Sequence, residues 1–88
     1  MPAAAELLAA AADPVRLQIL HELAGAPHCV CEIQESVPLP ANLLSYHLRI
    51  LREADLVVGS RRGRWIDYQL APGALERLHG ALPAARSR

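Results

Sequence analysis

No stretch of this chain approaches the roughly eighteen uninterrupted apolar residues that a membrane-spanning helix needs. Asp13 and Arg16 break the Ala-rich run near the N-terminus. That N-terminus also lacks a basic leader region, so a secretory signal is not expected and the chain is read as cytoplasmic. Formal net charge is zero, which excludes a global basic field that would announce a polyanionic partner. Lysine is absent, and all nine cations are arginine. Cysteine is scarce: only Cys29 and Cys31 occur, two residues apart. In a reducing compartment such a pair is metal-binding or redox-active rather than a structural disulfide. Also missing are a nucleophile–base pair, a Gly-rich phosphate loop and paired carboxylates, so an enzyme is not expected.

What is present fits one small folded domain. Eighty-eight residues, 52% hydrophobic and rich in Ala and Leu, support a single modest core of mostly helical elements. Five arginines (Arg49, Arg52, Arg61, Arg62 and Arg64) lie within sixteen residues, opposed there only by Glu53 and Asp55. That local excess is an electrostatic footprint of the kind that meets phosphate.

Residues 39–52 organise the rest. At 3.6 residues per turn, Leu44, Leu48 and Leu51 share one face. Asn42, Ser45, Tyr46 and Arg49 share the opposite one. Short hydrogen-bonding groups beside a guanidinium suit phosphates and base edges better than they suit mere solvation. Upstream, residues 3–12 predict a plain Ala-rich helix, too short to stand alone. Asp13-Pro14 predicts a capped helix start, and Gly25 with Pro27 a stop. Residues 28–37 predict a short third helix, and Pro38 and Pro40 a tight connection. Short helix, tight turn and longer helix make a helix-turn-helix.

Downstream, residues 56–70 predict a β-hairpin with Ile66, Tyr68 and Leu70 on one face and Gly63 at the tip. Arg61, Arg62 and Arg64 cluster at that tip with no acid beside them, as in a wing that touches the DNA backbone. Residues 72–82, with Leu75, Leu78 and Leu82 at helical spacing, predict a last helix with an apolar stripe suited to dimerisation. The tail over 84–88 is expected to fray.

In order and in residues these elements resemble the ArsR/SmtB family of metal-responsive winged-helix repressors. The resemblance is carried by Ala12–Leu20, by Cys29-Val30-Cys31-Glu32, by Leu44–Ala54 with its Ser45-Tyr46-His47-Leu48-Arg49, and by Arg61–Tyr68. It implies a mainly α fold with a small β-hairpin, a winged helix-turn-helix over 1–88 acting as a homodimer. Its helix-turn-helix would span 28–53, its wing 56–70, and its dimerisation helices 3–12 and 72–82. It also implies repression by binding an inverted-repeat operator in double-stranded DNA, and release on binding an inducer. The DNA-binding set would be Asn42, Ser45, Tyr46, His47, Arg49 and Arg52 with wing residues Arg61, Arg62 and Arg64. His47, like His21, also has the apolar neighbours of a packing residue.

The Cys-x-Cys most resembles the arsenic-sensing branch, which points to As(III) or Sb(III) as inducer ahead of Cd, Zn or Pb. Residues i and i+2 of a helix point about 200° apart, so the two thiols converge only if Cys29 lies at or before the helix start. Backbone amides there favour the thiolates that a soft ion requires. Trivalent arsenic wants about three sulfurs and Zn about four ligands, yet the chain offers two thiols. A third family cysteine would stand where Gln34 is. His28, a small external thiol or water could complete the set. The family's second metal site, near the C-terminus, would need ligands where Pro72 and Ala74 stand, leaving His79 alone. A redox switch at the same thiols, a metal-independent signal and a protein-interaction module are the competing readings.

Overall fold

The computed structural model describes residues 2–85. Residues 86–88, on which most of the expected frayed tail falls, lie outside the described residues. The elements run α1 (Ala4–Ala11), α2 (Pro14–Gly25), β1 (His28–Cys29), α3 (Val30–Ser36), α4 (Ala41–Glu53), β2 (Val57–Arg62), β3 (Trp65–Leu70) and α5 (Ala74–Gly80). No helix among the described residues is long and apolar enough to cross a membrane.

Local chemistry sets most of the boundaries. Asp13 caps α2, its carboxylate accepting from the backbone N–H of Val15 at 2.9 Å and Arg16 at 3.1 Å, with Pro14 in the first turn. The turn from α3 to α4 is tied by Gln34, whose side-chain amide donates to the Leu39 carbonyl at 2.7 Å. Gln18 of α2 donates to the Ser36 carbonyl at 2.8 Å, satisfying one orphan acceptor at the end of α3. The end of α4 closes as a Schellman motif. Leu56 N–H donates to the Leu51 carbonyl, Asp55 N–H donates to the Arg52 carbonyl, and Asp55 takes φ 58°. Leu51 and Leu56 are both fully buried there, which fixes the exit of the chain into β2.

Leu44, Leu48 and Leu51 of α4 lie at the centre of the core, packed with Ile19, Leu23, Ile33 and Leu56. The expected apolar stripe of α4 is therefore the buried one. In the wing, Gly63 takes φ 62° in the two-residue connection between β2 and β3, as a type II′ turn requires. Tyr68 is buried, while Ile66 lies beyond the core toward the tip. Gly59 faces Tyr68 across the strands, and a Cβ there would come within 3.2 Å of the ring.

Two expectations need correction. His28 and Cys29 are not helical: they form a short edge strand that pairs antiparallel with β3, so the sheet has three strands in the order β1-β3-β2. Period-based reading misses a two-residue strand, because its partner lies some forty residues away in sequence. The second concerns His21, which is exposed on α2 within this chain rather than packed in the core.

Candidate nucleic-acid interface

On α4, Asn42, Ser45, Tyr46, Arg49 and Arg52 are exposed and together line one shallow open depression. The Arg49 guanidinium lies 5.9 Å from the Tyr46 ring centroid, a stacking distance that holds both side chains along the helix. Pro40 precedes the helix without a side-chain cap, and its carbonyl accepts from the backbone N–H of Leu43 and of Leu44. The face thus presents two hydroxyls, an amide and two guanidinium groups, with no carboxylate among the lining residues.

His47 does not belong to that face. Its side chain is 14% exposed and turned into α2, with Nδ1 3.1 Å from Arg16 Nη1 and 3.9 Å from the Asp13 carboxylate. The helical angle between positions 46 and 47 turns the ring toward the neighbouring helix, with the Tyr46 ring still beside it at 5.2 Å between centroids.

Arg61, Arg62 and Arg64 are all exposed at the wing, but they are not equivalent. Arg62 is forked onto Asp67, with Nε donating to Oδ2 at 2.7 Å and Nη2 donating to Oδ1 at 3.1 Å. In register, Ser60 faces Asp67 and Arg62 faces Trp65, so Arg62 and Asp67 are diagonal neighbours on one face of the sheet. Arg62 holds the Asp67 carboxyl below its usual range. The tip is therefore not free of acid, as the local sequence suggests: the acid arrives from the returning strand. Trp65, half exposed beside these arginines, is the residue that sequence reading passed over.

The thiol pair lies at the junction of sheet and helix. Cys29 is the N-cap of α3, in extended geometry at φ −79° and ψ 167°. Its sulfur accepts from the Glu32 backbone N–H while its own N–H donates to the Glu32 carboxylate at 3.0 Å. This is a capping box with sulfur in place of the usual hydroxyl. The Cys29 N–H is the main reason that the Glu32 carboxyl lies below its usual range. Cys31 is exposed in the first turn, and both thiols are free. The placement of Cys29 before the helix is the one that lets two sulfurs of a Cys-x-Cys approach one ion.

The donor set fits a thiophilic ion only with help from outside the chain. Among the described residues, no group of three or more His, Cys, Asp and Glu side chains is placed to hold a metal. His28 is paired opposite Tyr68 in the sheet, and its Nδ1 faces Glu32 at 3.8 Å. Gln34, in the position of a third family cysteine, is occupied in holding the helix-turn-helix connection. Two thiols suit an ion completed by an external sulfur or oxygen, and do not suit tetrahedral Zn.

A short two-helix unit followed by a paired wing of this register is specific enough to compare with known proteins. Residues 13–58 match the family described as bacterial regulatory protein, arsR family. The chain belongs to that family. The ArsR-family match is supported by an HTH-type transcriptional repressor, SmtB, of Mycobacterium tuberculosis (strain CDC 1551 / Oshkosh). That relative is 44% identical over 71 residues, covering 81% of this chain and 53% of its own length. An arsenical resistance operon repressor of Bacillus subtilis (strain 168) is 40% identical over 62 residues, 69% of this chain and 59% of that protein. This ArsR-family chain thus spans between half and two thirds of the length of these curated relatives. Among solved structures, a possible transcriptional regulator for arsenical resistance superposes with a TM-score of 0.80 at 32% identity, covering 85% of this chain and 78% of that one.

Proposed function

We propose that this chain is a dimeric transcriptional repressor that leaves its operator when a thiophilic ion, As(III) or Sb(III), engages Cys29 and Cys31. Cd, Zn and Pb rank below, for want of ligands. The observation that carries the reading is the position of Cys29 as N-cap of α3, which brings both thiols of the pair to one end of a helix. The Asn42, Ser45, Tyr46, Arg49 and Arg52 face supports insertion of α4 into a major groove, with Arg61 and Arg64 of the wing on the backbone. The repressor named for arsenical resistance supports the inducer, and the SmtB transcriptional repressor supports a regulator of transcription rather than an enzyme. The site of action is the cytoplasm, where DNA is present and thiols stay reduced.

The apolar groove between α1, α2 and α5 supports dimerisation. It is lined by Leu8, Leu17, Leu20, Leu75, Leu78 and Leu82. A second copy of the chain covers it and sets two α4 helices one operator half-site apart.

The bound ion supplies soft Lewis-acid affinity for sulfur. The chain's own contribution is the capping box. Cys29's sulfur can serve Glu32 N–H as a cap or serve as a ligand, so engaging it loosens the first turn of α3 and the β1 edge paired to β3. A hundredfold loss of operator affinity needs about 2.7 kcal/mol of such coupling, within the ordinary range of linked sites.

The test is titration of the reduced protein with arsenite, antimonite, Cd and Zn while following its binding to its own promoter. Release by arsenite or antimonite at about one ion per chain, abolished in Cys29→Ser and Cys31→Ser, is the expected result. Ion-driven release that survives both substitutions would sink the thiol reading. Release by an oxidant alone would move the same sulfurs to redox sensing.

A further inference from the structure

We propose that Arg16 and His47 are positioning residues for DNA binding: one guanidinium ties the DNA-reading helix to α1 through a histidine that must be neutral. The proposal rests on the reading of α4 given above and extends it to residues that touch no DNA.

Arg16 stands where three helices meet. Its Nε donates to the Ala10 carbonyl, near the end of α1, at 2.6 Å. Its own backbone N–H is held by the Asp13 cap at the start of α2. Its Nη1 reaches His47 Nδ1, in the middle of α4, at 3.1 Å. Arg16 thereby makes a polar contact between α1 and α4, two helices that also pack together in the core, where Leu7 and Ala10 of α1 join the buried leucines of α4. Since α1 borders the apolar groove and α4 carries the DNA face, this contact links the two surfaces that must keep a fixed relation.

The chemistry of the contact selects one form of the ring. Guanidinium nitrogens only donate, so His47 Nδ1 must offer a lone pair and the ring proton must sit on Nε2. Adding a proton turns Nδ1 into a donor and sets two cations against each other. The nearest acceptor is then the Asp13 carboxylate, 3.9 Å away. The groups facing the ring are Arg16 and Asp13 from α2, the Ala10 carbonyl behind Arg16 from α1, and the Tyr46 ring on α4 at 5.2 Å between centroids. Protonation therefore exchanges the partner of His47 from Arg16 to Asp13, and α4 loses its polar contact with α1 while the apolar packing stays. Asp13 already serves two backbone amides, so it offers the imidazolium a contact within α2 and none to α1.

The sense of the effect makes it testable. A protein that gains positive charge on acidification ordinarily binds DNA more tightly. Here, binding weakens once His47 Nδ1 carries a proton and can no longer accept from Arg16. Operator affinity is measured at constant ionic strength from pH 7.5 to 5.5 for the wild-type protein, His47→Asn and Arg16→Met. Asn places an amide oxygen near the position of Nδ1 and does not titrate.

The expected result is a loss of about tenfold in wild-type affinity across this range, and a change within about twofold for His47→Asn. Arg16→Met should be weak at both ends of the range, with its fold checked by circular dichroism. Parallel profiles for wild type and His47→Asn would overturn the proposal. Nitrogen NMR of the His47 ring without DNA gives a readout that does not depend on operator binding: at pH 7.5 the proton should sit on Nε2. A proton on Nδ1 would overturn the link while leaving the DNA-reading face intact. Failure of the wild-type protein to bind its promoter at any pH would overturn the DNA reading, and this proposal with it.

Discussion

Asp13 is a side chain whose role can be stated almost completely. It closes the N-terminus of α2 through two backbone amides, and the amide of Arg16 is the main reason its carboxyl lies below the usual carboxylate range. A depressed folded value means that the stabilisation is present above the ordinary carboxylate range and is lost as pH falls through the folded value. Asp13→Ala should therefore cost about 1 kcal/mol at pH 7. In urea melts, that difference should shrink as pH drops toward about 3. A penalty independent of pH would mean that the ionised cap is not its source. Glu32 follows the same sign, with the Cys29 N–H as the first cause, but on a carboxylate exposed to solvent. Its value lies in shaping the end of α3 where the thiols sit.

Within the wing, hydrogen bonding divides three arginines that sequence treats alike. Among the described residues, Arg61 and Arg64 make no side-chain hydrogen bond or ion pair, whereas Arg62 is forked onto Asp67. Counterion release makes the salt dependence of binding a count of phosphate contacts. Arg61→Ala and Arg64→Ala should each lower the slope of log affinity against log salt by about 1. Arg62→Ala should lower it less, and Asp67→Asn should raise it by freeing Arg62. Equal slopes for all three alanine variants would show that the fork opens on DNA. The same fork belongs to the three-stranded sheet, since Asp67 pairs through its backbone with both Ser60 and Cys29. Cys29 and the wing are thus neighbours on one sheet, which neither motif discloses alone.

Across the whole molecule, the question is what covers the groove between α1, α2 and α5. Leu17, Leu75 and Leu82 line it at 48%, 36% and 56% exposure, which is large for leucines of a chain with a core this small. Leu17→Asp and Leu75→Asp should leave the core intact, because neither side chain belongs to it. Sedimentation should then report a monomer in place of a dimer, and operator affinity should fall with it. A dimer that persists in both variants would place the interface elsewhere. His21 and His79 also line the groove, beside the leucines.

Much of this was legible in the residues. The 3.6-residue spacing of Leu44, Leu48 and Leu51 set the buried face of α4, and with it the exposed face of Asn42, Ser45, Tyr46 and Arg49. Asp13-Pro14 and Gly63 announced a cap and a turn because those conformations demand particular side chains. The arsR-family resemblance was likewise carried by local motifs. Other features were decided by contacts distant in sequence, which local pattern does not encode. They are the β1 strand, the Arg62–Asp67 fork, the withdrawal of His47 from the DNA face, and the use of Gln34 to hold a turn. Each depends on which surface a neighbouring element offers after packing. Spacing determines the side of a helix a residue occupies, and only the tertiary structure decides what waits on that side.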